Sequence, residues 1–152
     1  VQKTRNFALY WLPVILWMSL IFGFSSDSKS FQHSSRILEP LLRWLLPNLA
    51  PNIRDDIVFV ARKCAHLTEY AVLALLVWRL LRKPVRRDPR PWNWRVAGLA
   101  LLVAALYAAS DEFHQTFVPT RDGCVRDVFI DSCGAAAGLL LLWLLGKWRK
   151  HW

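Results

Sequence analysis

Residues 125–145 read VRDVFIDSCGAAAGLLLLWLL. Twenty-one residues at 1.5 Å each make a helix of about 31 Å, the thickness of a bilayer's hydrocarbon core. The stretch is not uniformly apolar. It opens with two carboxylates, Asp127 and Asp131, continues through Gly134-x-x-x-Gly138, and ends in an unbroken apolar run. At 100° per residue, Asp127, Asp131, Gly134 and Gly138 fall within about 60° of one another. A small-x-x-x-small pattern lets helix backbones approach closely. Carboxylates on that same face should point into a bundle rather than at lipid. A charge at bilayer depth costs at least ~2.5 kcal/mol, so it is kept where it lines a cavity or finds a partner.

Three further segments have the same character. Spans are expected at about 7–24, 57–81 and 96–117, with 125–145 as the fourth. Together they predict a single all-α integral membrane bundle filling residues 1–152. Hydrophobic residues make up 55% of the chain and Trp counts nine, yet the net charge is +9. Apolar spans alternating with basic loops reconcile the two. Nucleic acid is set aside as a partner because the basic residues flank apolar spans and no recognition motif is present. The first span has a long core with Trp11 and Trp17 and no A-x-A ending, unlike a cleavable signal peptide. The three cysteines form no CxxC pair, and the simplest reading is small buried thiols.

Positive charge predicts orientation. Lys3 and Arg5 precede the first span. Seven basic residues lie between 79 and 95, and Lys147, Arg149 and Lys150 follow the last span, so 12 of the 20 Lys and Arg sit on one side. Both termini and the 79–95 loop are expected to be cytoplasmic, with 25–56 and 118–124 facing outward. Within 25–56, RILEPLLRWLL (36–46) is apolar at 37, 38, 41, 42 and 45. It is too short to span and is bounded by Pro47, so a short interfacial helix is expected there.

The outward end collects the ionisable residues. On span two, Arg62, Lys63, His66, Glu69 and Tyr70 lie within an arc of about 120°. On span three, Tyr107, Asp111, His114 and Gln115 lie within about 100°, with Glu112 at the edge. His66, Asp111 and Asp131 should each lie roughly 5–15 Å below the outer surface, forming one polar layer. Arg121, Arg126 and the free amides opening span four add positive potential that suits an anionic group such as a phosphate. Interhelical glue is the alternative use of such residues.

FSSDS (24–28), RKCAHLTEYAVLALL (62–76) and LYAASDEFHQTFVPTRDGCVRDVFIDSCGAAAG (106–138) resemble the VanZ-like membrane proteins. The resemblance rests on a Ser-Asp-Glu-x-x-Gln helix end, a Pro-x-Arg turn, then Asp-x-x-x-Asp and small residues. The family pattern maps onto Lys63, His66, Tyr70, Asp111, Glu112, Gln115, Arg121, Asp127, Asp131, Gly134 and Gly138. Thr120 stands where the pattern often has Gly, and Asp131 where some members carry Asn. The resemblance implies a multi-span helical domain in the bacterial cytoplasmic membrane. It also implies an association with the cell envelope and with resistance to the glycopeptide teicoplanin.

The expected partner is an anionic amphiphilic envelope lipid or precursor. As an enzyme, the chain would be a hydrolase or transferase on a lipid-linked substrate. His66, Asp111, Glu112, Asp127 and Asp131 are then the candidate catalytic groups. Lys63, Glu69, Tyr70, His114, Gln115, Arg121 and Arg126 are the candidate substrate contacts. A non-catalytic module holding a lipid headgroup or antibiotic fits the same residues. A small transporter fits less well, because four spans show no inverted repeat, although a homodimer could supply a second half. His66, Glu69, Asp111 and Asp131 are residue types a metal accepts, but no ligand motif commits to one, and no cofactor is assigned. Ser25 and Ser26 could reach the layer from the end of span one, where helix-end hydroxyls are common.

Overall fold

The computed structural model describes residues 7–26, 30–83, 88, 90–119, 123–150 and 152. Five helices follow in order: α1 (Phe7–Ser25, opening with a π-helical turn), α2 (Ser30–Leu45), α3 (Pro51–Arg82), α4 (Trp94–Gln115) and α5 (Val125–Trp148). The described residues contain no strand. Four of the helices, all but α2, are long and apolar enough to cross a membrane.

The helix limits follow local chemistry. Pro51 opens α3 in the first turn, where a missing N–H costs nothing. This puts the helix start six residues before the expected span, because Asp55 and Asp56 lengthen the rod without belonging in hydrocarbon. At 32 residues, α3 is about 48 Å long and overshoots the bilayer. It ends at Lys83, whose left-handed backbone (φ 47°) precedes Pro84. Asn93 caps α4, its side-chain oxygen accepting from the amides of Arg95 (2.9 Å) and Val96 (3.3 Å). The interfacial helix expected at 36–46 is longer than predicted: α2 begins at Ser30 and carries Pro40 inside it. It stops two residues before Pro47.

The largest interface joins α3 and α5. They run parallel, with Lys63 beside Asp127, Leu67 against Gly134 and Ala71 against Gly138. A Cβ at Gly134 would lie 2.8 Å from the Leu67 Cα and overlap the Leu67 carbonyl oxygen. At Gly138 it would lie 3.0 Å from the Ala71 Cβ. α4 presents a buried alanine stripe, Ala97, Ala100, Ala104 and Ala108, at helical spacing. That stripe continues into Asp111, Glu112 and Gln115, all buried. α1 is the least embedded of the four long helices, with only Val14, Ile21 and Ser25 buried. Polar bonds tie it in: the Trp17 indole donates to the Glu69 carbonyl (2.9 Å) and the Tyr107 hydroxyl to the Met18 carbonyl (2.6 Å). Such bonds matter in lipid, where no hydrophobic force drives helices together.

The end away from the acidic layer is closed by aromatic and arginine packing. Buried Arg82 lies 5.4 Å from the Trp78 ring and 5.7 Å from the Trp152 ring. Its guanidinium donates to Asp88 (3.1 Å) and to the carbonyls of Pro91 and Arg90. Gly146 makes room for the Trp152 indole, which a Cβ would overlap. The cysteine expectation is corrected here: Cys64, Cys124 and Cys133 are free thiols exposed on the outside of the bundle. Cys133, about 120° round α5 from the Gly134 and Gly138 face, falls on a face turned away from the α3–α5 seam.

Two predictions follow from this packing. Gly134→Ala should lower stability by about 1–3 kcal/mol, because backbone rather than a flexible side chain blocks the added methyl. Gly98→Ala, with open space around it, should be neutral or slightly stabilising; thermal melting in detergent compares the two. The Asp88 carboxyl is held well below the usual carboxylate range, first by the Arg90 side-chain hydrogen bond and also by Arg82. A depressed folded value means the contribution is complete above the unfolded value near 4 and is lost as pH falls below it. The melting temperature in detergent should therefore be flat from pH 8 to 5, drop on further acidification, and be reduced above pH 5 in Asp88→Asn, the difference shrinking in acid.

Candidate functional site

The acidic layer is built where the α1 C-terminus, the first half of α3, the α4 C-terminus and the α5 N-terminus meet. Parallel α3 and α5 with antiparallel α4 bring these ends to one level. Asp111 is its centre and is 3% exposed. Ser25 donates its hydroxyl to Asp111 Oδ1. The Tyr70 hydroxyl (3.4 Å) and the Gln115 amide (3.2 Å) donate to Oδ2. Asp111 thus receives donors from α1, α3 and its own helix. Tyr70 is fully buried, which fixes its hydroxyl.

Glu112, at the edge of the helical arc, is buried as Asp111 is. The turn leaving α4 folds back over it. One carboxylate oxygen accepts from the Cys124 amide (2.8 Å) at the start of α5, the other from Gln115 (3.2 Å). Gly123 permits this, since a Cβ there would overlap the Glu112 carbonyl oxygen.

Lys63 and Asp127 form a short pair, Nζ lying 2.6 Å from each carboxylate oxygen, with both side chains about three-quarters buried. His66 Nδ1 and Glu69 Oε2, on the same helix, are 3.5 Å apart and half-buried. Asp131 is 2% exposed, and its side chain makes no hydrogen bond or ion pair among the described residues. The groups acting on it most strongly, Glu112, Asp127, Asp111 and Glu69, are all carboxyls.

The sequence-predicted residues therefore divide. Tyr70, Asp111, Glu112, Gln115 and Asp131 are gathered and buried, with Lys63, Asp127, His66 and Glu69 around them. His114 is not gathered: its ring packs against Phe22 of α1 with centroids 4.5 Å apart, and its Nδ1 is buried without a partner. Arg126 is exposed on the first turn of α5. Asp127 takes Lys63 as its partner, not Arg126. Arg121 lies outside the described residues, as do Thr120, Asp122, Lys3 and Arg5. Ser25 joins the centre of the layer, while Ser26 bonds back to the Phe22 carbonyl (2.7 Å) as a helix-end hydroxyl. The signal for Ser25 was its depth, at the same end as the other polar residues. Glu112's amide partner had no sequence signal, because it depends on the path of the turn. No three His, Cys, Asp or Glu among the described residues converge closely enough to hold a metal ion.

The family pattern gains its geometry here: its Lys, Tyr, Asp-Glu-x-x-Gln and Asp-x-x-x-Asp positions meet across three helices. The VanZ/LLP1 family model matches residues 10–146. The chain belongs to the VanZ/LLP1 family. The match runs from the start of α1 almost to the end of α5, so all four long helices and the acidic layer lie inside it. With its four long apolar helices, this VanZ-family chain is a multi-pass membrane protein. No curated protein and no solved structure matches it.

The geometry separates structural from spare charges. Lys63→Met leaves Asp127 unpaired and should cost about 1–3 kcal/mol, part of it recovered in Lys63→Met/Asp127→Leu. Asp131→Asn should keep or raise the melting temperature, since among the described residues nothing bonds its buried carboxyl, and burying an acid costs free energy. A melting temperature several degrees lower in Asp131→Asn would show that Asp131 is structural glue.

Proposed function

We propose that this VanZ-family protein binds and acts on the head group of an anionic amphiphilic cell-envelope lipid or lipid-linked precursor. The carrying observation is Asp111, buried in the bundle and reached by a serine, a tyrosine and a glutamine, with Asp131 buried at the same end. Packing four helices does not require five carboxyls at one level. Asp111 serves as general base or acid, and Glu112 and His66 are the next groups able to move a proton. Lys63 and Arg126, joined on the sequence pattern by Arg121, hold the anionic part of the head group. Glu69, Tyr70 and Gln115 complete the contacts.

An apolar groove of about 400 Å³ supports an amphiphilic ligand. It runs along the outside of α4 and α5 past Gly98, Leu101, Ala105, Phe129, Cys133 and Ala136. Its α5 side brackets the level of Asp131, so a head group in the layer and a tail in the groove would lie at compatible depths. In this reading residues 1–152 form one domain in the bacterial cytoplasmic membrane, with both termini cytoplasmic and the acidic layer facing outward. Action on envelope lipids would connect it with glycopeptide resistance.

A binding-only module is favoured by one feature: the Ser25 hydroxyl is 2% exposed and committed to Asp111. Purified protein in liposomes of bacterial envelope lipids separates the two readings. Lipid turnover by mass spectrometry should fall about 100-fold or more in Asp111→Asn, with melting temperature and lipid retention kept. Retention without turnover in the wild type establishes the binding module. Neither retention nor turnover, or an unaffected Asp111→Asn, overturns the proposal.

A further inference from the structure

The opposite end of the bundle carries a second, differently built surface. After Asp131 the chain has no acidic residue, and between Tyr70 and Ser110 it has only Asp88. Against that one acid stand ten cations: Arg79, Arg82, Lys83, Arg86, Arg87, Arg90, Arg95, Lys147, Arg149 and Lys150. Asp88 is already bonded to Arg82 and Arg90. Ring contacts bring the carriers of these charges together. Trp94, the first residue of α4, lies 5.4 Å from Trp143 of α5, and the Lys147 ammonium lies 5.4 Å from the Trp143 ring centroid. Arg79 lies over Tyr10 at 5.5 Å, which brings the start of α1 to the same end. Arg95, Lys147, Arg149 and Lys150 are exposed, as are the indoles of Trp94 and Trp148. The N-terminus of the 22-residue α4 opens among them and adds its positive dipole end.

Exposed indoles beside cations, at the ends of membrane-crossing helices, match the depth where lipid head groups begin. We propose that the surface formed by Trp94, Arg95, Trp143 and Lys147 seats anionic phospholipid head groups of the leaflet opposite the acidic layer. The indoles rest at the glycerol level, and the cations, uncompensated by any nearby acid, meet the phosphate. This inference concerns the other end of the molecule and does not depend on what the acidic layer binds.

The test uses the full chain in nanodiscs of mixed phosphatidylglycerol and phosphatidylcholine, with lipids retained after detergent extraction counted by native mass spectrometry. The wild type should retain phosphatidylglycerol above its share of the mixture, and rising salt should weaken that preference. Arg95→Gln/Lys147→Gln should reduce the preference on the order of fivefold per cation removed. Arg95→Lys/Lys147→Arg should keep it. Arg43→Gln, on α2 at the other end and already beside Glu39, should leave it unchanged. No preference in the wild type, a salt-independent preference, or an equal preference in the double Gln variant overturns the proposal. If the double variant does not fold, the wild-type preference and its salt dependence still decide.

Discussion

The backbone contact between α3 and α5 governs the rest of the structure. Gly134 and Gly138 bring α5 onto the Leu67 and Ala71 turns of α3 with no side chain between. That approach fixes the register of two parallel rods. From it follow the position of Asp127 opposite Lys63 and the burial of Asp131 one turn above Gly134. In lipid, packing and polar bonds hold helices together in place of the hydrophobic effect. A glycine pair able to exclude all alternative registers therefore counts for more than it would in a soluble core.

The two ends of the bundle solve opposite electrostatic problems. One concentrates carboxyls and satisfies them unevenly: Asp111 has several donors, Asp127 a lysine, Glu112 an amide, and Asp131 none among the described residues. The other concentrates cations and leaves most of them at the surface, against indole rings. Arg82 is the exception, buried between Trp78 and Trp152 and bonded to Asp88 and two carbonyls, so its charge closes the helix ends. α1 connects the two ends while burying little. Its attachment through Ser25, Met18 and Trp17 leaves one side of the acidic layer held by hydrogen bonds more than by packing.

The four spans were legible because a bilayer imposes length and apolarity on each segment separately. Their lower limits were less so: α3 starts at Pro51 because a helix continues past the hydrocarbon wherever its backbone bonds can. That Tyr70 of α3 and Asp111 of α4 share a level agrees with their helical arcs and depths, since rise per residue is constant. Glu112 stood at the edge of its helical arc, yet it is buried in the layer. Its burial comes from the turn after α4, which no periodicity describes. His114 shared the arc of Asp111 yet packs on Phe22, because the arc could not say where α1 would lie. The cysteines were expected inside from their apolar character, but lipid is an equally apolar outside.

Composition, span length and the placement of charge within spans determined a basic, multi-pass helical chain with one acidic end. The family motifs named its kin. Partnership was decided only in three dimensions. Which cation neutralises Asp127, which hydroxyls reach Asp111, and which acids are buried all depend on the azimuth and register of neighbouring helices. Those are set by contacts between residues distant in sequence, such as Leu67 with Gly134 and Ser25 with Asp111. No single helix contains that information.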